Sequence, residues 1–233
     1  MRIFLSCFLF ISFSSLFSQE IAVPEIVPLV KVDSLYREDQ FYFAITYNLL
    51  ANRPAGLTQN KFSSGFKAGF LRDMPFNKAR TVAIATGIGL TYDNYNENMS
   101  ITGTAENAVY NIINSNENYS KSKFSQLALD VPIEFRWRTS TYKSHKFWRI
   151  YTGIKFSYLL YDKSVFNNEN NNVEITGNND FNKFQYGAYI SSGYNTINLY
   201  AYYGLNPLFK SAIINGQKLD MRSVSLGIIF YIL

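Results

Sequence analysis

The sequence predicts an all-β protein, a closed antiparallel transmembrane β-barrel of about eight strands preceded by a short N-terminal periplasmic arm. Three observations carry this expectation. A secretory leader opens the chain. Aromatic residues, mostly Tyr and Phe, make up 17% of it. Apolar side chains alternate with small or polar ones along segments of roughly 10 to 14 residues, long enough to cross a bilayer when tilted.

In the leader, Met1-Arg2 supplies a positive start and Ile3 to Phe17 an almost uninterrupted apolar run, too short for a comfortable spanning helix. Small Ser18 follows, then polar Gln19-Glu20. That order reads as a signal peptide over 1–18, cut between Ser18 and Gln19. Cys7, the only cysteine, lies inside the apolar run, too early to be a lipid anchor. It leaves with the leader, so the mature chain is expected to have no disulfide, thiol nucleophile or cysteine metal site. Residues 19–40 form the arm: Pro24 and Pro28 interrupt a Val/Ile-rich stretch that ends in VDSLYREDQ, with room for a short helix near 32–38. The barrel occupies 41–233.

Tyr and Trp favour a membrane interface because the ring is apolar while its tip stays hydrated. Mean hydropathy is near zero, and beyond the leader no run approaches the roughly 18 to 20 apolar residues of a spanning helix. Either a soluble β-sandwich or a membrane barrel remains, and the strand pattern has to choose.

Segment 41–50 puts Phe41, Phe43, Ile45, Tyr47 and Leu49 on one face. Segment 61–72 sets Phe62, Phe66, Ala68 and Phe70 against Ser63, Gly65, Lys67 and Gly69. Segment 81–92 sets Val82, Ile84, Ile88, Leu90 and Tyr92 against Ala83, Ala85, Gly87, Gly89 and Thr91. In 124–138 an unbroken apolar face from Leu127 to Trp137 alternates with Gln126, Asp130, Glu134, Arg136 and Arg138. Segment 147–161 repeats this, with Trp148, Ile150, Ile154, Phe156, Tyr158 and Leu160 against Arg149, Tyr151, Gly153, Lys155 and Ser157. Segments 183–194 and 197–206 read as a hairpin turning at Asn195-Thr196, and 221–233 closes the series. Sandwich strands usually run about five or six residues; these run about twice that. An apolar face toward lipid and a mixed face toward a filled lumen suit a barrel, and closure leaves no unpaired edge.

The connections alternate in length: 51–60, 93–122, 162–182 and 207–220 are the longer ones, while 73–80, 139–146 and the Asn195-Thr196 turn are short. This parity is expected when both termini face the periplasm of a Gram-negative cell, with the long loops outside. The two longest loops are Asn-rich and acidic, and NNENNN at 167–172 reads as a mobile polar loop.

Lys67, Asp130, Glu134, Arg136, Arg149 and Lys155 form the candidate lumen charge network. Opposite charges packed in a small barrel must pair or face buried water. If 124–138 pairs with 147–161, Asp130 falls near Lys155, and Glu134 lies diagonally from Arg149. The plain reading is structural; a gated ion path or ligand site is the alternative. Trp137 and Trp148 flank the 139–146 turn and suit an interfacial aromatic girdle. The bulky inward Tyr151, Tyr189, Tyr200 and Tyr202 argue against an open pore.

His145, the only histidine, sits in a short turn between Lys143 and Lys146. No visible spacing assembles a nucleophile, base and orienting acid around it, so no catalytic residue is assigned. The loop carboxylates follow no spaced calcium motif, so no metal site is assigned either. No cofactor or small-molecule substrate is indicated. The net charge of +5 does not point to nucleic acid, because the cations spread over strand ends and short turns. Arg72, Lys78, Arg80, Arg138, Lys143 and Lys146 are expected on the periplasmic rim, solvated or facing lipid phosphates or an acidic partner.

Certain strings go beyond generic barrel alternation: VPIEFRWRTS at 131–140, KFWRIYTGIKFSYLLYDK at 146–163, KFQYGAYISSGYNTINLYAYYGLNPLF at 183–209 and LGIIFYIL at 226–233. Together with REDQFYFAITYNLL at 37–50, they resemble the PorT family of Bacteroidetes, over nearly the whole mature chain. The resemblance implies an outer-membrane barrel needed by the type IX secretion system, embedded in outer-membrane lipid. Other secretion components would then dock at its periplasmic rim. It carries over no active-site motif.

Overall fold

The computed structural model describes residues 37–59, 61–114, 116–140, 146–169 and 172–232. The leader, the arm up to residue 36, Lys143, His145 and Leu233 lie outside them. Among the described residues there are thirteen strands and no helix: β1 (Gln40–Ala51), β2 (Ser64–Pro75), β3 (Val82–Tyr95), β4 (Met99–Gly103), β5 (Ala108–Ile112), β6 (Tyr119–Arg138), β7 (Trp148–Asn168), β8 (Asn172–Thr176), β9 (Phe184–Tyr194), β10 (Ile197–Gly204), β11 (Ile213–Ile214), β12 (Gln217–Lys218) and β13 (Arg222–Ile232). Eight of them close a barrel in the order β1-β2-β3-β6-β7-β9-β10-β13, with β13 returning to β1 and every neighbour antiparallel.

The alternation read from the sequence is the alternation of the wall. On β1, Phe41 is 63% exposed and Phe43 and Ile45 also face out, while Tyr42, Ala44 and Thr46 between them are buried. β6 repeats the pattern, with Val131, Ile133, Phe135 and Trp137 outside and Asp130, Glu134, Arg136 and Arg138 inside. Large apolar side chains exposed all round a sheet whose charges are buried invert the arrangement of a water-soluble protein.

Short connections, 76–81, 139–147 and 195–196, lie at the end where β1 starts and β13 finishes, here the terminal end. Asn195 takes the left-handed conformation (φ 57°) that lets the last of these reverse in two residues. Long connections, 52–63, 96–118, 169–183 and 205–221, gather at the other end.

There the structure departs from the expectation of mobile polar loops. The long connections fold over the barrel as a cap with its own apolar core. Leu57, Met99, Ile101, Tyr110, Ile175, Phe181, Phe209 and Leu219 pack onto Leu50, Tyr95, Phe124 and Met221 at the barrel rim. Phe181 stacks on Phe209 at 4.6 Å, and Tyr110 meets Phe209 edge-on at 5.5 Å. The hairpin β4–β5 and strand β8 supply the frame. Part of NNENNN is itself strand, because Asn167 pairs with Asn172 where β7 turns into β8. The acidic, Asn-rich composition hid these apolar anchors, which are spaced too widely to show a period. The wall strands also run further than their apolar pattern. β6 and β7 continue above the belt as a paired ribbon up to Tyr119 and Asn168, since backbone pairing needs no lipid-facing side chains.

One cap acid stands apart. Glu97, which bridges to Gln59 beside the rim, is buried, and neither of its carboxylate oxygens has a hydrogen-bond partner among the described residues. Burial pushes its carboxyl up to about 7, with Arg53 pulling weakly the other way. The unfolded chain, with an ordinary glutamate near 4.5, releases this proton first as pH rises. The native state then binds the extra proton, so stability falls as pH climbs through that window and levels off above the native value. Glu97→Gln should flatten this part of the dependence: thermal unfolding in detergent, followed from about pH 5 to about pH 8, should lose less stability in the variant than in the parent.

Candidate functional site: the filled lumen

The inner face is built from small residues opposite large ones. A Cβ on Gly89 would overlap the Tyr42 hydroxyl, and one on Gly187 would come within 2.5 Å of the Tyr202 ring, so these glycines make the room that the tyrosines fill. Tyr42, Leu71, Tyr151, Tyr189, Tyr200, Tyr202, Ile229 and Tyr231 form one buried cluster inside the wall. The voids left among them and the charged groups are about 20 Å³ each, room for a single water.

The charges occupy two layers. In the layer nearer the cap, Lys155 Nζ donates to Asp130 Oδ2 at 2.9 Å and Ser157 Oγ to Asp130 Oδ1 at 2.6 Å, while the Thr91 hydroxyl also donates to Asp130. Lys155 lies 4.8 Å from the centre of the Tyr202 ring. Beside it, Lys67 Nζ and Asn48 Nδ2 both donate to Asp93 Oδ1 at 2.9 Å.

In the layer at the terminal end, Asp73 receives Arg138 through two parallel bonds of 2.8 and 2.7 Å and Arg136 through a third of 3.0 Å. Arg136 also donates to Glu134 at 2.8 Å, and the Tyr231 hydroxyl to Glu134 at 3.1 Å. The chain entering β1 is tied into the same layer. Glu38 N–H donates to Asp73, Arg136 donates to the Glu38 carbonyl, and Asp73 N–H donates to Asp39. Outside the wall, Arg72 pairs with Asp39 at 3.0 Å. Bidentate geometry and full hydrogen bonding are what offset the desolvation of buried charges.

Lys67, Asp130, Glu134, Arg136, Arg149 and Lys155 all lie buried on the inner face, and the register brings Asp130 and Lys155 together. Glu134 and Arg149 do not pair. Glu134 sits opposite Gly153, and its neighbour two residues along the same strand, Arg136, reaches it first. Arg149 instead stacks its guanidinium on the rings of Phe147 at 4.5 Å, Tyr231 at 5.6 Å and Tyr151 at 5.7 Å. Arg138, expected on a solvated rim, is fully buried against Asp73. Trp137 and Trp148 face outward, Trp148 at 59% exposure with its ring 5.6 Å from Tyr194.

The sequence reading missed Asp73 and Asp93. Both continue an inward alternation past the strand ends drawn for it: Lys67, Gly69, Leu71, Asp73 on β2, and Gly89, Thr91, Asp93 on β3. Chemically the lumen offers buried ion pairs, with Arg136 Nη2 and Arg149 Nε and Nη1 left without a hydrogen-bond partner among the described residues. Among the described residues no group of three or more His, Cys, Asp or Glu could hold a metal ion, and His145 lies outside those residues.

A family model described as an outer membrane protein beta-barrel domain matches residues 17–210. No curated protein matches the chain.

Asp73 is the test of the lower layer. Asp73→Asn keeps the shape but removes the carboxylate that holds Arg138 and leaves Arg136 with Glu134. Loss of one partner from such a buried network costs about 3 to 5 kcal/mol. Denaturant unfolding of the barrel in micelles should show a drop of that order; a drop within the range of an ordinary surface substitution would mean that water already screens the arginines.

Proposed function

The chain belongs to the outer membrane protein β-barrel domain family, and on that premise we propose that it serves protein export by the type IX secretion system as a closed, non-enzymatic scaffold or accessory. The observation that carries the reading is the filled lumen, with paired charges and tyrosines packed from wall to wall and a folded cap above them. An eight-stranded barrel packed in this way is no conduit for a folded cargo. The export role itself rests on the PorT-like strings. Two of them, VPIEFRWRTS and KFWRIYTGIKFSYLLYDK, are the segments of β6 and β7 that carry Glu134, Arg136, Arg138, Arg149 and Lys155.

On this reading the terminal end faces the periplasm, as short turns usually do. The exposed cations beside it, Arg72 and Lys78, then form a rim for other secretion components, and the cap faces outward.

Two measurements test the proposal. Purified barrel in a planar bilayer should show no steady conductance; open-pore steps would favour a small porin instead. In the host, a clean deletion should leave proteins bearing the export domain in the periplasm, and complementation should return them to the surface and medium. Unchanged export would reduce the chain to a structural barrel with no part in secretion.

A further inference from the structure

Within the apolar belt the β6–β7 ladder is regular except at one place. Along the β6–β7 ladder, Leu127 pairs with Tyr161 but Ala128 pairs with Leu159, so Leu160 is an extra residue on β7. Such a bulge puts two consecutive side chains on one face. Leu160 is 52% and Tyr161 48% exposed, while Leu159 and Asp162 on either side are buried.

The other edge of β7 is interrupted at the same height. Its pairing with β9 stops at Tyr158–Phe184, and pairing with β8 begins only at Lys163–Thr176. Across the seam, the Leu159 N–H donates to the Lys183 carbonyl at 2.8 Å, and the Asn178 N–H to the Asp162 carboxylate at 2.9 Å. Between them is a cavity of about 250 Å³ bordered by Tyr158, Leu160, Tyr161, Gly177, Asn178 and Lys183.

Its position and lining are those of an amphiphile site. Tyr92, Leu127 and Tyr161 form the last apolar row of the wall here, and the next outward row is Asn94, Ser125, Lys163 and Thr176. The seam therefore opens where the apolar belt gives way to polar surface. Lys163 is taken by Glu174 at 2.5 Å. Lys183 is exposed and makes no ion pair among the described residues, and Tyr158 and Tyr161, both exposed, border the same cavity. Asp162, the one acid of the lining, is buried and holds the Asn178 amide, while Lys183 is exposed. Below the seam, Phe156 stacks on Phe184 at 6.1 Å, an aromatic track on the lipid-facing side.

We propose that this seam is a binding site for a phosphate-bearing lipid of the leaflet on the cap side, its headgroup on Lys183, Tyr158 and Tyr161 and its acyl chain along Leu160 and the Phe156–Phe184 pair. A phosphate-bearing membrane lipid is the occupant the wall position selects. Free phosphate shares the headgroup chemistry but makes no use of the apolar floor. The inference is independent of any role in export.

The test is lipid retention by the purified full barrel in detergent, read by native mass spectrometry with three probes: phosphatidylglycerol, diacylglycerol of the same chains, and inorganic phosphate. Phosphatidylglycerol should be retained, diacylglycerol should not, and phosphate should fail to displace the lipid at equal concentration. Lys183→Glu should weaken retention about tenfold, the loss of one charge-assisted contact. Lys218→Glu, at an exposed lysine of the cap outside the seam, should leave it unchanged. Equal retention of diacylglycerol, displacement by free phosphate, or equal losses in the two variants would each overturn the proposal. Folding of each variant is checked by its heat-dependent gel mobility. Should Lys183→Glu fail to fold, Lys183→Gln carries the same comparison.

Discussion

A backbone amide in hydrocarbon has no water to bond, so a sheet that crosses a membrane must bring its two edges together. In this protein the first and last wall strands meet, β1 pairing with β13 from Phe41–Ile232 to Ala51–Arg222, and the sheet is closed. The β6–β7 ladder, from Arg138–Arg149 up to Tyr119–Asn168, continues past the apolar belt and raises the ribbon that frames the cap.

Closure creates an interior that has to be filled. Eight strands leave space for side chains only, and the chain fills it by opposing glycine to tyrosine and acid to base. Gly89 beneath Tyr42 and Gly187 beneath Tyr202 do for shape what Asp73 between Arg136 and Arg138 does for charge. The two fillings depend on each other. Tyrosine rings face the cations of Lys155, Arg136 and Arg149, and the Tyr231 hydroxyl donates to Glu134, so packing and electrostatics share the same residues. A lumen assembled in this way is rigid and closed, which places any interaction with partners at its ends and on its wall.

The two ends are built differently. At the terminal end the charge layer itself is the closure, and it holds residues 38 and 39 as they enter the first strand. At the other end the closure is apolar, a cluster of aromatic and aliphatic side chains drawn from four connections. Between the two runs a continuous lipid-facing wall, broken where the β7 bulge turns Leu160 and Tyr161 out together.

The order of strands, their lipid and lumen faces and the alternation of connection lengths were legible in the sequence. All three follow from a side-chain period of two and from counting residues between periods. The meeting of Asp130 and Lys155 was legible for the same reason, once a register about the 139–146 turn was assumed. Asp73 and Asp93 could have been found by extending the inward alternation one or two steps. The partner of Glu134, the burial of Arg138 and the stacking of Arg149 could not, because a pairing register gives cross-strand neighbours and says nothing of which long side chain arrives first. The cap was beyond reach altogether. Its anchors, from Leu57 to Leu219, lie in four separate connections and meet only after the barrel has brought the strand ends together. Sequence by itself determined the wall, since local alternation in a two-sided environment dictates which face each residue takes. Tertiary structure decided the interior pairs and the cap, since those contacts join residues far apart along the chain whose distance is set by closure of the sheet.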